Sequence, residues 1–394
     1  MATTTRYLAD QVERDLERKM VFVAGPRQVG KTTLARSLPG AEAGYLNWDI
    51  AEDRERILRR QLPAAGLWVF DEIHKCRDWR NYLKGLYDAR VAREPALTGD
   101  RSGPAIQAPT ASDVGRRILV TGSARLDAYR FGGDSLQGRF HLLRLHPLSA
   151  AELGLRKAVE LQDLLRLGGF PEPYLGGSEV EARRWSREHR TLLIREEVTS
   201  LERIQDLGRL ELLMLRLPEL VGSPLSINAV REDLQVSHKA VADWLGAFER
   251  LYAIFRLSPF GAPTIRAVKK QQKHYHVDWT VVPADAPRFE NLIAWHLLKW
   301  VHHQQDTQGL DLELRYFRDT DGREVDFIVT DRQQPVLCIE CKWADGRLDK
   351  NLRYFKVRFP DCDAWQVSAT GTKDYVTPEG IRVAPALELL GRLV

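Results

Sequence analysis

Gly25-Pro26-Arg27-Gln28-Val29-Gly30-Lys31-Thr32 fills every position of the pattern G-x-x-x-x-G-K-[ST], and its surroundings decide how it folds. Met20-Val21-Phe22-Val23-Ala24 before it predicts a short buried strand, and Thr33-Leu34-Ala35-Arg36-Ser37-Leu38 after it predicts the start of a helix. A glycine-containing turn between such a strand and helix aims backbone N–H groups and the positive helix end at one point. That is a cradle for polyphosphate. Within it Lys31 reaches β- and γ-phosphates and the Thr32 hydroxyl ligates Mg²⁺. The expected ligand is ATP with Mg²⁺, held by Gly25 through Thr33.

At 394 residues the chain exceeds one ordinary core, and its length predicts two to four domains. With 44% hydrophobic and 28% charged residues it has the composition of a soluble globular protein. Its net charge of +4 permits nucleic acid as a partner without requiring it. There is no apolar run of bilayer-spanning length and no charged-then-apolar leader, so no membrane partner and a cytoplasmic location are expected. The four cysteines, Cys76, Cys338, Cys341 and Cys362, are too scattered for a disulfide framework. Cys338-x-x-Cys341 lies in an expected strand, where positions three apart face opposite sides, which argues against a shared metal.

Downstream, Gly44–Asp49 reads as a second strand and Ala51–Leu62 as a helix, and Leu67-Trp68-Val69-Phe70 is an apolar strand ending in Asp71-Glu72. An acid at the end of a buried strand, downstream of a phosphate loop, holds Mg²⁺ through water. This assigns Asp71, and leaves Glu72 to orient and polarise the attacking water. The strand Arg117–Ala124 ends in small hydroxyl residues, of which Thr121 or Ser123 is expected to sense the γ-phosphate. Strands alternating with helices predict a parallel sheet with its ligand at the strand carboxyl ends. Ala96–Asp113, rich in Pro, Gly, Ser and Thr, reads as a surface loop.

The order of Gly25–Thr32, Val69-Phe70-Asp71-Glu72-Ile73-His74, Val120-Thr121-Gly122-Ser123-Ala124, Leu136-Gln137-Gly138-Arg139 and Leu145-His146-Pro147-Leu148-Ser149 resembles a large prokaryotic family. Its members are AAA-type ATPases whose carboxyl-terminal half is catalogued as a domain of unknown function. Leu167–Tyr174 is similar to the same family's lid region. The resemblance covers nearly the whole chain, and implies an AAA-like sheet, a helical lid and basic residues near the nucleotide. Arg139 is the leading candidate for a guanidinium that stabilises charge on the γ-phosphoryl, in cis or from a neighbouring subunit of a homo-oligomer. Arg125 and Arg195 are its rivals.

From Leu225 the pattern becomes a helix-turn-helix. Ser226 caps Ile227–Leu234, and Ser237 caps a second helix through Leu251 with an apolar stripe of Val241, Leu245 and Phe248. Tyr252–Leu257 follows as a strand, giving a winged-helix outline. The second helix offers His238, Lys239 and Asp243 early, a thin set for reading DNA bases. Arg266, Lys269, Lys270 and Lys273 form a basic run suited to phosphate contact.

Farther on, Phe289-Glu290-Asn291-Leu292 opens a helix, while Glu324–Val329 and Val336–Trp343 predict a hairpin. The period of two places Glu340 and Lys342 on one face, with Asp326 on the neighbouring strand. Two carboxylates converging from paired strands make a Mg²⁺ site, and a lysine beside it positions water. The set resembles the PD-(D/E)xK nuclease fold. That resemblance makes Glu290 the helical acid, Asp326 the metal-binding aspartate, and Glu340 and Lys342 the remaining pair, with Gln366 as a polar residue nearby. The expected metal ligands are Glu290, Asp326 and Glu340, and the expected catalytic residues are Asp326, Glu340 and Lys342.

The sequence therefore predicts an α/β protein of four parts. These are a P-loop ATPase core over residues 1–152, a helical lid over 153–222, a winged-helix-like module over 223–262 and a restriction-nuclease-like α/β domain over 263–394. The expected function is an ATPase coupled to a nuclease-like domain that contacts DNA or RNA. The competing expectation is a nucleotide-dependent switch or scaffold for a protein partner, with a silent carboxyl-terminal domain.

Overall fold

The apolar run before the phosphate loop folds as β1 (Met20–Ala24), five residues that are all buried. In this computed structural model the described residues are 5–91, 117–122, 136–198, 206–261 and 272–394. The stretch 96–113, together with Ser123, Arg125, Arg266, Lys269 and Lys270, lies outside them. The chain divides into two units, Thr5–Leu145 and the part from His146 to Val394.

In the first unit β1 joins β2 (Tyr45–Asn47), β3 (Leu67–Asp71), β4 (Arg117–Thr121) and β5 (Phe140–Arg144) in a wholly parallel sheet of order β2-β3-β4-β1-β5. A parallel sheet is covered on both faces, and β1 and β3 are accordingly buried at all five of their positions, while β2 and β5 at the edges carry half-buried residues. The helices α1 (Ala9–Leu16) and α2 (Lys31–Ser37) supply Val12, Leu16 and Leu34 to the core on one face. Another core gathers α3 (Ala51–Leu58) and α4 (Trp79–Val91) through Ile57, Trp79 and Leu83 against Phe22 and Phe70. All strand carboxyl ends lie along one edge, where β1 runs into the phosphate loop and β3 ends in Asp71.

The second unit begins with α5 (Ala158–Leu167), α6 (Pro171–Gly176), α7 (Glu179–Leu192) and α8 (Leu207–Arg216). Next come α9 (Ile227–Leu234) and α10 (His238–Arg250), whose caps Ser226 and Ser237 accept from the Ala229 and Ala240 N–H groups. An antiparallel ribbon follows, β6 (Ile254–Leu257) with β7 (Lys273–His276). The long helix α11 (Asp285–Gln308) then leads into β8 (Leu312–Arg318), β9 (Glu324–Asp331), β10 (Gln334–Lys342), α12 (Lys350–Arg358), β11 (Asp363–Ser368), β12 (Tyr375–Val376), β13 (Ile381–Pro385) and α13 (Ala386–Leu390). These strands form a six-stranded mixed sheet of order β12-β13-β11-β10-β9-β8. Cys338 and Cys341 on β10 enter different apolar clusters, as their spacing requires.

One apolar cluster runs from Ala150 to Leu390 and includes Leu164, Phe170 and Trp185 together with Tyr275, Trp279, Trp295 and Trp365. The helices expected as a separate lid thus share a core with the ribbon and the six-stranded sheet. The segment after His146 is tied to α11: Lys299 is fully buried and paired with Glu152, while Ala150 N–H donates to His296 Nε2 at 3.1 Å. Gly169 is fixed by close approach, since a Cβ there would lie 2.7 Å from both the Leu148 carbonyl oxygen and the Trp279 ring. Among the described residues no helix is long and apolar enough to cross a membrane.

Candidate functional site

The turn out of β1 leaves no space for a side chain at its first residue. A Cβ on Gly25 would sit 2.2 Å from the Leu145 carbonyl oxygen, which itself follows the Leu145 N–H to Ala24 bond of 2.8 Å. Pro26 and Val29 are buried, Arg27 is half-buried and Gln28 is exposed; Gly30 is left-handed at φ 93°, and Thr32 and Thr33 lie open at the head of α2. Lys31 folds back over the loop and donates from Nζ to the Gly25 and Pro26 carbonyls at 3.0 and 2.7 Å. Thr32 Oγ1 donates to Asp71 Oδ2 at 2.8 Å, across 39 positions of sequence. A hydroxyl in contact with a carboxylate beside a phosphate cradle is a hard oxygen donor set, so these residues fit Mg²⁺.

Asp71 accepts two more hydroxyls, Tyr45 OH on Oδ2 and Thr121 Oγ1 on Oδ1, each at 2.6 Å. Thr121 is fully buried and bonded to Asp71, so its expected place at a γ-phosphate is corrected. Burial and the Asp71 contact hold the Tyr45 phenol above its ordinary pKa. Glu72 leaves β3 in the left-handed region at φ 58°, with its N–H bonded to Thr121 O at 2.9 Å. Its carboxylate lies 3.4 Å from Lys75 Nζ and 3.6 Å from His74 Nε2. A non-glycine residue in this region costs about 1–3 kcal/mol and is characteristic of functional positions. Arg6, buried, donates to the Val29 carbonyl of the loop at 2.6 Å. Sequence reading missed both Arg6 and Tyr45.

Arg139 stands elsewhere. β5 runs parallel to β1 with Phe140 opposite Met20 and Arg144 opposite Ala24, and Met20 N–H donates to Arg139 O at 3.1 Å. At about 3.3 Å per residue the sheet puts the Arg139 backbone roughly 20 Å from Gly25, on the amino edge. Its guanidinium pairs with Asp88 on α4 at 2.8 and 3.3 Å. The expectation that Arg139 reaches its own nucleotide is therefore corrected. Arg195, in the other unit, pairs with Glu211 at 3.1 Å.

In the second unit β9 and β10 pair with Ile339 opposite Phe327, and one step further in that register sets Glu340 opposite Asp326. β11 places Gln366 beside Glu340. Lys342 Nζ donates to Glu340 Oε1 at 2.7 Å and to Asp349 Oδ2 at 2.9 Å, while Asp349 N–H donates to Gln366 Oε1 at 2.8 Å. Asp326 Oδ2 accepts the Cys341 N–H at 2.8 Å. Glu340 Oε2 is buried without a hydrogen-bond partner. Glu290 arrives from α11, but its Oε1 accepts Tyr275 OH at 2.7 Å and lies 3.7 Å from Lys273 Nζ.

Lys273, expected in an exposed basic run, is instead buried and lies 2.5 Å from Glu324. It entered the sequence reading as a surface cation because its acidic partners are 17 and 51 positions away, at Glu290 and Glu324. Among the described residues no group of three or more His, Cys, Asp or Glu side chains is arranged to hold a metal ion. The expected three-carboxylate set of Glu290, Asp326 and Glu340 is thus corrected by the loss of Glu290, which is committed to Tyr275 and Lys273.

Burial, with the Asp326 charge adding to it, raises Glu290 and Glu340 to about 8. Asp326 is also raised, chiefly by burial. Burial alone would lower Lys342, yet Glu340 and Asp349 hold it above its ordinary value. Burial lowers His274 to about 4 and His296 to about 3, and puts His276 well below the usual 6.5. A raised carboxyl contributes stability below pH 4.5 that is lost as pH rises through 8. A lowered imidazole contributes stability above pH 6.5 that is lost as pH falls through 4. Between pH 4.5 and 6.5 the two trends oppose each other, and above pH 6.5 only the carboxyl loss remains, so these groups make the unit less stable as pH rises from 6.5 to 8. Hydrogen exchange of β7, β9 and β10 in the full chain should show protection falling from pH 6.5 to 8; equal protection at the two values contradicts it.

Three sequence families match in succession. Residues 17–116 match an AAA domain, 159–286 a domain of unknown function (DUF8612), and 287–389 a second domain of unknown function (DUF4143). Uncharacterized proteins of Mycobacterium tuberculosis and Mycobacterium bovis are each 26% identical over 281 residues, 70% of this chain. The chain spans 58% of the length of these relatives. A solved Walker-type ATPase of Pyrococcus abyssi aligns over 71% of this chain and 96% of its own, with a TM-score of 0.43 and 16% identity. The AAA-domain match over residues 17–116 falls within the first unit, together with the phosphate loop, Asp71 and the parallel sheet, and that unit is an AAA-type P-loop ATPase-like domain.

Proposed function

We propose that this chain is a Mg²⁺-dependent ATPase whose second unit is a winged-helix and restriction-nuclease-like module that contacts nucleic acid. The Thr32–Asp71 hydrogen bond carries the ATPase reading, because it aligns an alcohol and a carboxylate for a hard cation at the mouth of a phosphate cradle. Bound there, Mg²⁺ disperses the negative charge of the β- and γ-phosphate oxygens. Lys31 exchanges its two carbonyl acceptors for phosphate oxygens. Glu72 orients a water and draws on its proton, while the Thr32 and Asp71 oxygens stay fixed by each other.

For the second unit the support is the order of α11, the antiparallel run β8-β9-β10, α12 and the parallel β11, with Asp326, Glu340 and Lys342 on its central strands. The unsatisfied Glu340 Oε2 has capacity for a cation. The α9–α10 pair with the β6–β7 ribbon supports the winged-helix reading. The test is a divalent-metal cleavage assay on a panel of DNA and RNA forms, with and without ATP. Asp326→Ala is expected to eliminate cleavage and leave ATP hydrolysis within about twofold, since the two sites lie in separate units. Unchanged cleavage in that variant leaves a binding fold without chemistry.

One observation favours the silent scaffold instead: Lys273 already pairs with Glu324 and Glu290, and Lys342 with Glu340 and Asp349. ATPase stimulation by a protein partner and none by nucleic acid selects that reading. For Arg139, action from a neighbouring subunit is the remaining role. Mixing Arg139→Ala and Lys31→Ala chains should then restore hydrolysis, and concentration-independent turnover by a monomer removes that role.

A further inference from the structure

The Asp71 carboxylate is held by three hydroxyls, and they are not equivalent. Thr32 belongs to the phosphate loop and Thr121 ends the adjacent strand β4, whereas Tyr45 reaches in from β2 at the edge of the sheet. Thr32 and Tyr45 converge on the same oxygen, Oδ2, and Thr121 takes Oδ1. An ionised carboxylate offers about four acceptor sites, so three hydroxyls leave one for a cation or its bound water and set its direction. The Tyr45 ring is itself located: the Arg36 guanidinium lies 5.3 Å from its centroid, and Tyr45 pairs with Val69 in the β2–β3 ladder.

We propose that Tyr45 is a positioning residue for the divalent cation of the nucleotide site, acting through Asp71. This rests on the reading of that site as a Mg²⁺-nucleotide site. Without the phenol, Asp71 keeps one hydroxyl on each oxygen, Thr32 on Oδ2 and Thr121 on Oδ1, and Oδ2 loses the second donor that fixes which of its lone pairs faces the cation. Partners of this kind around metal-holding groups are worth about 10- to 100-fold in metal affinity. The effect falls on the cation and spares the nucleotide's contacts with the phosphate loop, which lie on other atoms.

The experiment compares the wild-type chain with Tyr45→Phe, which removes one oxygen and keeps the ring. A fluorescent ATP analogue is titrated in EDTA and across a Mg²⁺ series, and Mn²⁺ binding to the nucleotide complex is followed by electron paramagnetic resonance. The expected result is metal-free nucleotide affinity within about twofold, with the half-saturating Mg²⁺ and Mn²⁺ concentrations raised about tenfold. Equal metal dependence in the two proteins overturns the role of Tyr45 while leaving the site's assignment intact. A wild-type chain that binds no nucleotide overturns both. If Tyr45→Phe lowers metal-free affinity as much as metal-dependent affinity, Tyr45 serves the loop's fold and the inference fails.

Discussion

Lys31→Ala is expected to weaken ATP binding by about 10²- to 10⁴-fold, the equivalent of two charge-assisted hydrogen bonds of about 1.5–3 kcal/mol each. Lys31 is buried at the mouth of the loop and held over it by the Gly25 and Pro26 carbonyls, so its ammonium is in place before a phosphate arrives. The nearby Arg6 cannot substitute, because its guanidinium is spent on the Val29 carbonyl behind the loop. Alanine also leaves two carbonyls without that donor, so thermal unfolding must accompany the titration. A folded variant with wild-type affinity would remove the nucleotide assignment altogether.

Glu72→Gln is expected to bind ATP within about twofold of wild type and to hydrolyse it about 10² times more slowly or worse. The left-handed backbone at Glu72 is held by its N–H bond to Thr121 O, which the substitution leaves in place. The amide keeps the shape of the side chain and loses the negative charge that polarises water. Single-turnover kinetics separates the chemical step from binding. Near-normal turnover would make Glu72 no more than the residue that leads β3 into its next turn.

The nucleotide site was legible where its parts are contiguous in sequence. The phosphate loop lies within eight residues, and Asp71-Glu72 sits at the end of an apolar run that has only one sensible structure. Asp326 and Glu340 were legible for a different reason, since a side-chain period of two in paired strands leaves little freedom in which residues face each other. Tyr45, Arg6 and Lys273 were not, because each acts on a group brought near only by tertiary folding. Arg139 shows the opposite case: it was expected to act in cis or from a neighbouring subunit, and strand direction, which puts it at the amino end of β5 away from its own phosphate loop, counters the first of these. Lys273 was misread for lack of an acid within its own stretch, yet β7, α11 and β9 bring two carboxylates to it.

The boundary between the two domains of unknown function falls at residues 286 and 287, inside the first turn of α11. That helix buries Phe289, Leu292, Ile293 and Trp295 in a cluster that draws on both sides of the boundary. Two stretches that match separate sequence families are therefore one object mechanically. A drift in side-chain volume on either side, such as at Phe170 or Trp365, has to be accommodated by the other, and neither stretch is free to diverge or be exchanged alone.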